Sequence, residues 1–338
     1  MIITADIHLT DKPSDLYRWD LFPWLIKQVD GDKTLAILGD LTDAKDRHSA
    51  KLVNRLTYAM QDLSRAFDMV LFVKGNHDYV DKDNPFFGYL RTLDNVHVIA
   101  TEPAAFEING RIVLAVPNSV DFAAEYEGYP WNDYNVVLTH QTYDGCITEN
   151  GTRLGGVPPS IFKGFKGKVW SGDIHAPQKV GPVIEYVGAP YRVRFGDRFQ
   201  PRVVQYAVAT KRTLDLKYSC PSKHVVTIGN IADIYKPEHR AMKAGDQVKV
   251  RVLLKRADYA GWPVLQAEIK ALAAERGWLL TGPLLEPLQR NGAETDKIQA
   301  ARQGIAAPEG LVRQHAKYKR MSQEAEAIGL AILKEISQ

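Results

Sequence analysis

Five short segments carry side chains able to hold divalent metal ions. They are Asp6-Ile7-His8, Gly39-Asp40, Gly75-Asn76-His77-Asp78, Thr139-His140 and Gly172-Asp173-Ile174-His175, and each ends or follows an apolar run. In an extended segment, residues two apart point to the same side. Asp6 and His8 are therefore expected to face one ion with Ile7 turned to the core, and Asp173 and His175 to repeat the arrangement around Ile174. The glycines at 39, 75 and 172 allow sharp chain exits and a close approach of backbone to the ions. Asp6, His8, Asp40, Asn76, His140, Asp173 and His175 together make seven donors. Seven suit two ions about 3.5–4 Å apart that share a carboxylate. Imidazole, carboxylate and amide oxygen without thiolate favour Mn²⁺, then Mg²⁺, over Zn²⁺ or Fe. Taken singly, each segment has an ordinary structural reading: a turn after a strand, an Asx turn and cap at Asn76-His77-Asp78, a hydrogen-bonded core histidine at 140. Their joint placement at strand ends is what argues for a metal centre.

Positioning such a set requires several strands that end at one edge. Met1–Ala5, Thr34–Leu38, Met69–Val73, Val96–Ile99, Val136–Thr139 and Lys168–Trp170 read as strands, several of them nearly continuous Val/Ile/Leu runs. Such runs suit strands buried on both faces. Further strands are expected at 183–187, 202–208 and 213–218. A helix follows Ser14, with Pro23 kinking it or starting a second one. A cleaner helix runs from about Ser49 to Phe67, with Leu52, Leu56, Met60, Leu63 and Phe67 at helical spacing. Asn109-Gly110 between two apolar segments signals a hairpin with a type I′ turn. The whole reads as a layered α/β domain, and in open α/β sheets ligands bind beyond the carboxyl ends of the strands.

The chain has 338 residues, 45% apolar and 25% charged. That is the composition of a globular protein of about two domains, and it excludes disordered and collagenous classes. No apolar run approaches the ~20 residues of a membrane span. The opening Met1–Asp6 lacks the basic lead and apolar stretch of a signal peptide. Two cysteines, Cys146 and Cys220, without metal spacing fit a reducing cytoplasm. Residues 1–210 carry 22 Lys and Arg against 26 Asp and Glu, whereas residues 211–338 carry 21 against 14. The acidic part accords with carboxylates gathered for metal, the basic part with a polyanion or simply a solvated surface. A composition shift near Ser219-Cys220-Pro221 opens a compact β-α-β module. Residues 291–307 read as a polar linker, and two helical pieces follow, about 309–321 and 322–336.

The ordered set Asp6-x-His8, Gly39-Asp40, Gly75-Asn76-His77-Asp78, His140 and Gly172-x-x-His175 resembles the calcineurin-like metallophosphoesterase superfamily. Within it the chain looks most like the SbcD/Mre-type nucleases of DNA double-strand-break repair, in their bacterial or phage form. Asn76-His77 is followed by Asp78 where protein phosphatases usually carry Glu, and their Asp-Arg-Gly after Gly-Asp is replaced by Leu41-Thr42-Asp43-Ala44. The run Gly172–Gln178 followed by Tyr186–Tyr191 is similar to a segment of that branch. The resemblance is strong over residues 1–220 and weaker beyond. It implies a four-layer α-β-β-α metallophosphoesterase sandwich over 1–220, a small α+β capping domain over 221–290, and C-terminal helices in 291–338. It further implies that those helices dock on an SbcC-type SMC-like ATPase, and that the chain dimerises. Packing of the Ala325, Ile328, Ile332 and Ile336 stripe on its own domain is the other reading.

Carried over by position, the resemblance gives Asp6, His8, Asp40 and His175 to one ion. Asp40 bridges, and Asn76, His140 and residue 173 hold the other. His77 is implied to contact the scissile phosphate or leaving oxygen as general acid or transition-state stabiliser. The family usually has His where this chain has Asp173, and the hard carboxylate oxygen again favours Mn²⁺ or Mg²⁺. The implied activity is hydrolysis of DNA phosphodiesters by exonuclease and endonuclease action, in repair, recombination or replication. Candidate phosphate contacts are Lys163, Lys166 and Lys168 before the last metal segment, and Arg192, Arg194 and Arg198 after it, with Arg202 next. Tyr191, Phe195 and Phe199 interleave with those arginines, and the alternative is an exposed edge with its aromatics turned inward. Two other functions stay open: a phosphatase or phosphodiesterase acting on a small phosphoester, nucleotide or phosphoprotein, and a non-catalytic DNA-end scaffold. His48, shortly after Asp40, is a further candidate to approach the site. His97, His224, His239 and His315 read as structural or surface residues.

Overall fold

The computed structural model describes residues 1–29, 33–45, 47–81, 84–236 and 242–287. The expected linker and C-terminal helices, with His239 and His315, lie outside the described residues. By internal contacts the chain divides into two compact units: Met1–Arg251 with Val264–Leu284, and Val252–Pro263 with Leu285–Gln338. The described part of the second unit includes a 3₁₀ helix over Arg256–Gly261.

The first unit is built on two six-stranded sheets. In chain order the strands are β1 (Ile2–Ala5), β2 (Thr34–Leu38), β3 (Met69–Val73), β4 (Tyr79–Asp81), β5 (Asn84–Pro85), β6 (Val96–Ile99), β7 (Ala104–Ile108), β8 (Arg111–Ala115), β9 (Val136–His140), β10 (Lys168–Gly172), β11 (Gln178–Val180), β12 (Ile184–Tyr186), β13 (Val203–Ala207) and β14 (Arg212–Leu216). One sheet runs β14-β13-β1-β2-β3-β6 and the other β11-β12-β10-β9-β8-β7, with β4 and β5 pairing separately. Strands β1, β2, β3 and β6 are parallel, as are β8, β9, β10 and β12. The five candidate metal-binding segments lie at the carboxyl ends of β1, β2, β3, β9 and β10.

Alternation along the strands explains the layering. Ile3, Ala5, Ala36, Leu38, Leu71 and Val73 of the first sheet pack with Val113, Ala115, Val136, Leu138 and Trp170 of the second. Their neighbours Ile2, Leu35, Ile37, Val70 and Phe72 turn the other way, onto helices α1 (Leu21–Lys27) and α2 (Ala50–Ala66). Helix α2 starts where Ser49 Oγ accepts the Leu52 N–H at 3.1 Å, and it buries Leu52, Leu56, Met60 and Leu63. Pro23 falls in the first turn of α1, where no intrahelical donor is lost, and a separate 3₁₀ helix over Pro13–Asp20 precedes it. The outer layer over the second sheet is thinner than the first: short helix α3 (Phe122–Glu125), 3₁₀ turns at Trp131–Asp133 and Pro159–Phe162, and a cluster of aromatic rings.

The β7–β8 hairpin turns through Asn109 and Gly110 with φ of 52° and 70°, the pair of positive values a type I′ turn demands. Downstream, β15 (Lys223–Ile228), β16 (Gln247–Leu254) and β17 (Leu279–Pro287) form a three-stranded sheet, with helix α4 (Trp262–Arg276) between the last two in sequence. Both cysteines are free. Among the described residues no helix is long and apolar enough to cross a membrane.

Candidate metal centre

Asp6 and His8 follow β1, Asp40 follows β2, Asn76 and His77 follow β3, His140 ends β9, and Asp173 and His175 follow β10. The structure brings these side chains together. His8 Nε2 and His175 Nε2 face one another at 3.1 Å. Asp40 lies between two imidazoles, its Oδ2 3.6 Å from His8 Nε2 and its Oδ1 3.4 Å from His140 Nε2. Asp173 Oδ1 is 3.8 Å from His140 Nε2 and accepts Asn76 Nδ2–H at 3.3 Å. Three overlapping groups have all their donor atoms within 4.8 Å of each other: Asp6, His8 and His175; Asp6, Asp40 and His140; His8, Asp40 and His77. Asp173 belongs to none of these groups but stands at the His140 and Asn76 end.

The pairing of Asp6 with His8 has a different local cause from the extended geometry expected. Asp6, His8, Asp40 and Asp173 all have left-handed backbone, with φ of 53°, 47°, 53° and 88°. Ile7 is buried in the core as expected, but Asp6 and His8 share a side because both are twisted out of strand conformation. Such conformations cost on the order of 1–3 kcal/mol each and persist only when the surroundings over-determine them. Here they do. Asp6 N–H donates to the Gly39 carbonyl and His8 N–H to that of Asp40. The His8 carbonyl accepts Arg18 Nη1–H, and the Ile7 carbonyl accepts the Tyr191 hydroxyl. Asp78 takes three backbone N–H groups, from Asp40 at 2.7 Å, Leu41 at 3.0 Å and Gly75 at 2.8 Å. Gly39 (φ 74°) has no room for a Cβ, which would strike His140 Nδ1 and the Gly75 backbone; a Cβ at Gly172 would meet the Leu38 carbonyl.

The imidazoles share one orientation. His140 Nδ1 is 2.8 Å from the Leu38 carbonyl and His77 Nδ1 2.9 Å from that of Asp43. A carbonyl only accepts, so both Nδ1 atoms carry hydrogen and Nε2 is the nitrogen turned away from the backbone. His8 Nδ1 looks at Asp43 Oδ1 (3.6 Å) and His175 Nδ1 at Glu149 Oε1 (3.2 Å). The His8 and His175 contacts are electrostatic approaches without a closed hydrogen bond, whereas His140 and His77 each have a bonded acceptor behind the ring, the usual setting of metal-binding histidines.

Residual polarity also fits divalent ions. Asp6 Oδ2, Asn76 Oδ1 and His140 Nε2 are buried without a hydrogen-bond partner among the described residues. Burial, with Asp40 and Asp173 nearby, drives the Asp6 carboxyl well above the usual carboxylate range, although His140 opposes this. Burial, reinforced by His175 and His77, pushes His8 well below the usual imidazole value, and burial also lowers His175. Burial resists charging of His140 as well, but Asp40, Asp6 and Asp173 overcome it and raise that ring to about 9. Divalent cations would replace the protons that this crowded carboxylate pocket otherwise retains. The donor set therefore fits two such ions, with Asp40 and Asp6 each reaching both ends.

Several neighbours were not assigned to the site from sequence: Asp43, Thr142, whose hydroxyl donates to Asp173 Oδ2, Asn118, which donates to the His140 carbonyl, and Glu149. His48 sits close by but bonds Thr42 Oγ1 at 2.8 Å and packs on Phe86 and Phe87.

The expected DNA contacts separate into two groups. Lys163, Lys166 and Lys168 lie at or before the start of β10, about 13 Å along the strand from its metal-binding end. Lys168 is held by Glu185 at 2.5 Å. Arg194 and Arg198 are exposed and Arg192 half-buried, and Arg194 is near enough to His175 to influence its charge. Arg194 lines a cleft of about 340 Å³ with Lys12, Arg18, Asp43 and Lys223. Tyr191 is fully buried, so at that position the aromatic faces inward. Arg202 is spent internally on Glu185, Asp215 and two carbonyls.

Among solved structures, the chain is similar to the phosphopantetheinyl hydrolase PptH of Mycobacterium tuberculosis (14% identity over 56% of this chain and 89% of that one, TM-score 0.34). It is also similar to an archaeal phosphodiesterase (12%, 64% and 97%, TM-score 0.35) and to the nuclease MPE of Pseudomonas putida (16%, 63% and 86%, TM-score 0.31). No curated protein is significantly similar in sequence. Residues 1–177, which contain every donor of the centre, match the calcineurin-like phosphoesterase family, and the chain belongs to it.

Proposed function

We propose that the chain is a two-metal-dependent DNA nuclease of SbcD type, hydrolysing phosphodiester bonds by exonuclease and endonuclease action. The observation that carries this is the convergence of Asp6, His8, Asp40, Asn76, His140, Asp173 and His175 around paired inward-facing nitrogens, with half-buried His77 at the rim. Two divalent ions, Mn²⁺ by preference, would polarise the phosphoryl oxygens and lower the pKa of the attacking water. The chain's own residues do the rest. Asp40, between His8 and His140, would bridge the two ions, with Asp6 reaching the same two ends. The bond from His77 Nδ1 to the Asp43 carbonyl leaves Nε2 to face substrate, where the protonated ring can donate to the departing oxygen. Half-exposed Asp43 and exposed Arg194 keep the rim open and give it a cation for a neighbouring phosphate. A place in repair, recombination or replication, an SbcC-type ATPase partner and dimerisation follow from the same reading.

A phosphatase or diesterase acting on a small phosphoester is the second reading. It is favoured by the distance of Lys163, Lys166 and Lys168 from the donors, which shortens any basic track for a polymer. One assay separates them: end-labelled duplex DNA, a bis-nitrophenyl phosphate diester and a nitrophenyl monoester, each with Mn²⁺, Mg²⁺ or chelator. The nuclease reading expects cleavage of duplex and diester with Mn²⁺ and none with chelator. Turnover of the monoester with an intact duplex would establish the second reading instead.

A further inference from the structure

Glu149 lies in none of the five metal-binding segments, yet one of its oxygens reaches the centre. Oε1 accepts the His175 main-chain N–H at 3.2 Å and stands 3.2 Å from His175 Nδ1, an electrostatic approach to a ring nitrogen that has no hydrogen-bond partner among the described residues. We propose that Glu149 is a positioning residue for His175, fixing the ring so that Nε2 faces the metal centre and strengthening the hold on the ion that His175 binds. The inference rests on the metal-centre reading and adds to it a residue outside the motif set.

The loop that delivers Glu149 is tied down on both sides. Thr148 N–H donates to the Thr152 carbonyl at 2.8 Å, Gly151 N–H to Thr148 at 2.9 Å and Leu154 N–H to Cys146 at 2.9 Å. Gln178 clamps the same loop from the strand beyond His175: its Oε1 accepts Ile147 N–H at 2.8 Å and its Nε2 donates to the Ile147 carbonyl at 2.6 Å. The braced loop, rather than the side chain itself, limits how far the carboxylate can move from the imidazole. The carboxylate lies in a nearly closed setting, with side-chain exposures of 18% for Glu149 and 7% for His175, so solvent screens the interaction weakly.

The tautomer is the physical link. A histidine binds metal through one nitrogen while the other keeps its hydrogen, and the group behind the ring decides which. A carboxylate at Nδ1 favours the Nδ1–H form, which frees Nε2, the atom 3.1 Å from His8 Nε2. Of the two other carboxylates acting on His175, Asp197 accepts Arg194 N–H at 2.8 Å and Asp40 lies among the candidate donors themselves, near His8 and His140. Glu149 is thus the carboxylate placed to set the ring.

The test is calorimetric titration of the full chain, stripped of metal, with Mn²⁺, on wild type, Glu149→Ala and Glu149→Gln. The wild type should bind two ions. Glu149→Ala should weaken one of them about 10–100-fold, the range of outer partners of metal-binding histidines, and leave the other unchanged. Glu149→Gln keeps an acceptor oxygen and should recover most of the loss. Nitrogen NMR of the metal-free protein should show His175 moving from the Nδ1–H form toward a mixture in Glu149→Ala. Wild-type affinity at both sites in Glu149→Ala would overturn the inference. So would equal weakening of both ions together with a lower metal-free melting temperature, which marks a merely structural residue. A wild type that binds no Mn²⁺ would instead overturn the metal-centre reading, and this inference with it.

Discussion

His77 and His140 each approach Asp40 from contrasting settings. His77 is half-buried at the rim, its ring 5.1 Å from that of His8 and its Nδ1 held by the Asp43 carbonyl. His77→Ala is expected to lower kcat for DNA cleavage by about 10²–10⁴, the usual worth of a positioned general acid, while Mn²⁺ binding stays at two per chain. A loss of one ion in that variant would move His77 into the ligand set. His140 is fully buried among Asp40, Asp6 and Asp173, which raise it to about 9 in the metal-free protein despite the opposing effect of burial. A histidine raised above its unfolded value stabilises the fold fully below about pH 6.5, and that stabilisation fades as pH climbs through about 9. Metal must displace this proton. Mn²⁺ loading at pH 7.5 should therefore release protons, and the apparent affinity should rise with pH up to about 9. Calorimetry in two buffers of different ionisation heat measures the release; identical heats in both would show that His140 is already neutral.

At the scale of elements, the centre depends on turns that leave parallel strands in left-handed conformation, and Asp78 ties two of those turns together. Its carboxylate serves the N–H groups of Asp40, Leu41 and Gly75, and burial together with Asp40 holds it up at about 6. Asp78→Ala strands three buried donors, each worth ~1–3 kcal/mol, so metal-free stability in urea should fall by at least about 2 kcal/mol. A variant as stable as wild type would mean that water replaces the carboxylate. The strands that carry the site were legible because most are nearly continuous apolar runs with a Gly, Asp or His at or just past their ends; Thr34–Leu38 and Met69–Val73 have the expected bounds. The hairpin at Asn109-Gly110 was legible for the same kind of reason, since few residues tolerate two positive φ values. Short edge pieces such as β11 and the β4–β5 pair, two or three residues per strand, carry too little periodicity to be read. The thin aromatic layer over the second sheet escaped notice because rings set in turns have no repeat. Asp43, Thr142 and Glu149 were invisible for a related reason: a loop residue's partner is fixed by tertiary approach, and nothing in its own neighbourhood announces it.

For the molecule as a whole, charge placement would decide how the proposed polyanion substrate approaches. Arg194 is exposed beside His175, whereas Lys168 is paired with Glu185 and rests on the Trp170 ring at the far end of β10. Arg194→Ala should weaken duplex binding about equally for all sequences and reduce the slope of log K against log salt by about one. Lys168→Ala should leave that slope unchanged. The reverse pattern would place the polymer at the opposite end of the sheet. The proposed pair of ions is open to direct observation. Crystals of the full chain soaked in Mn²⁺ and recorded at the manganese edge should show two anomalous peaks about 3.5–4 Å apart, one beside His8 and His175, the other beside Asn76 and His140, with Asp40 between them. A lone peak, or peaks away from Asp40, would contradict it.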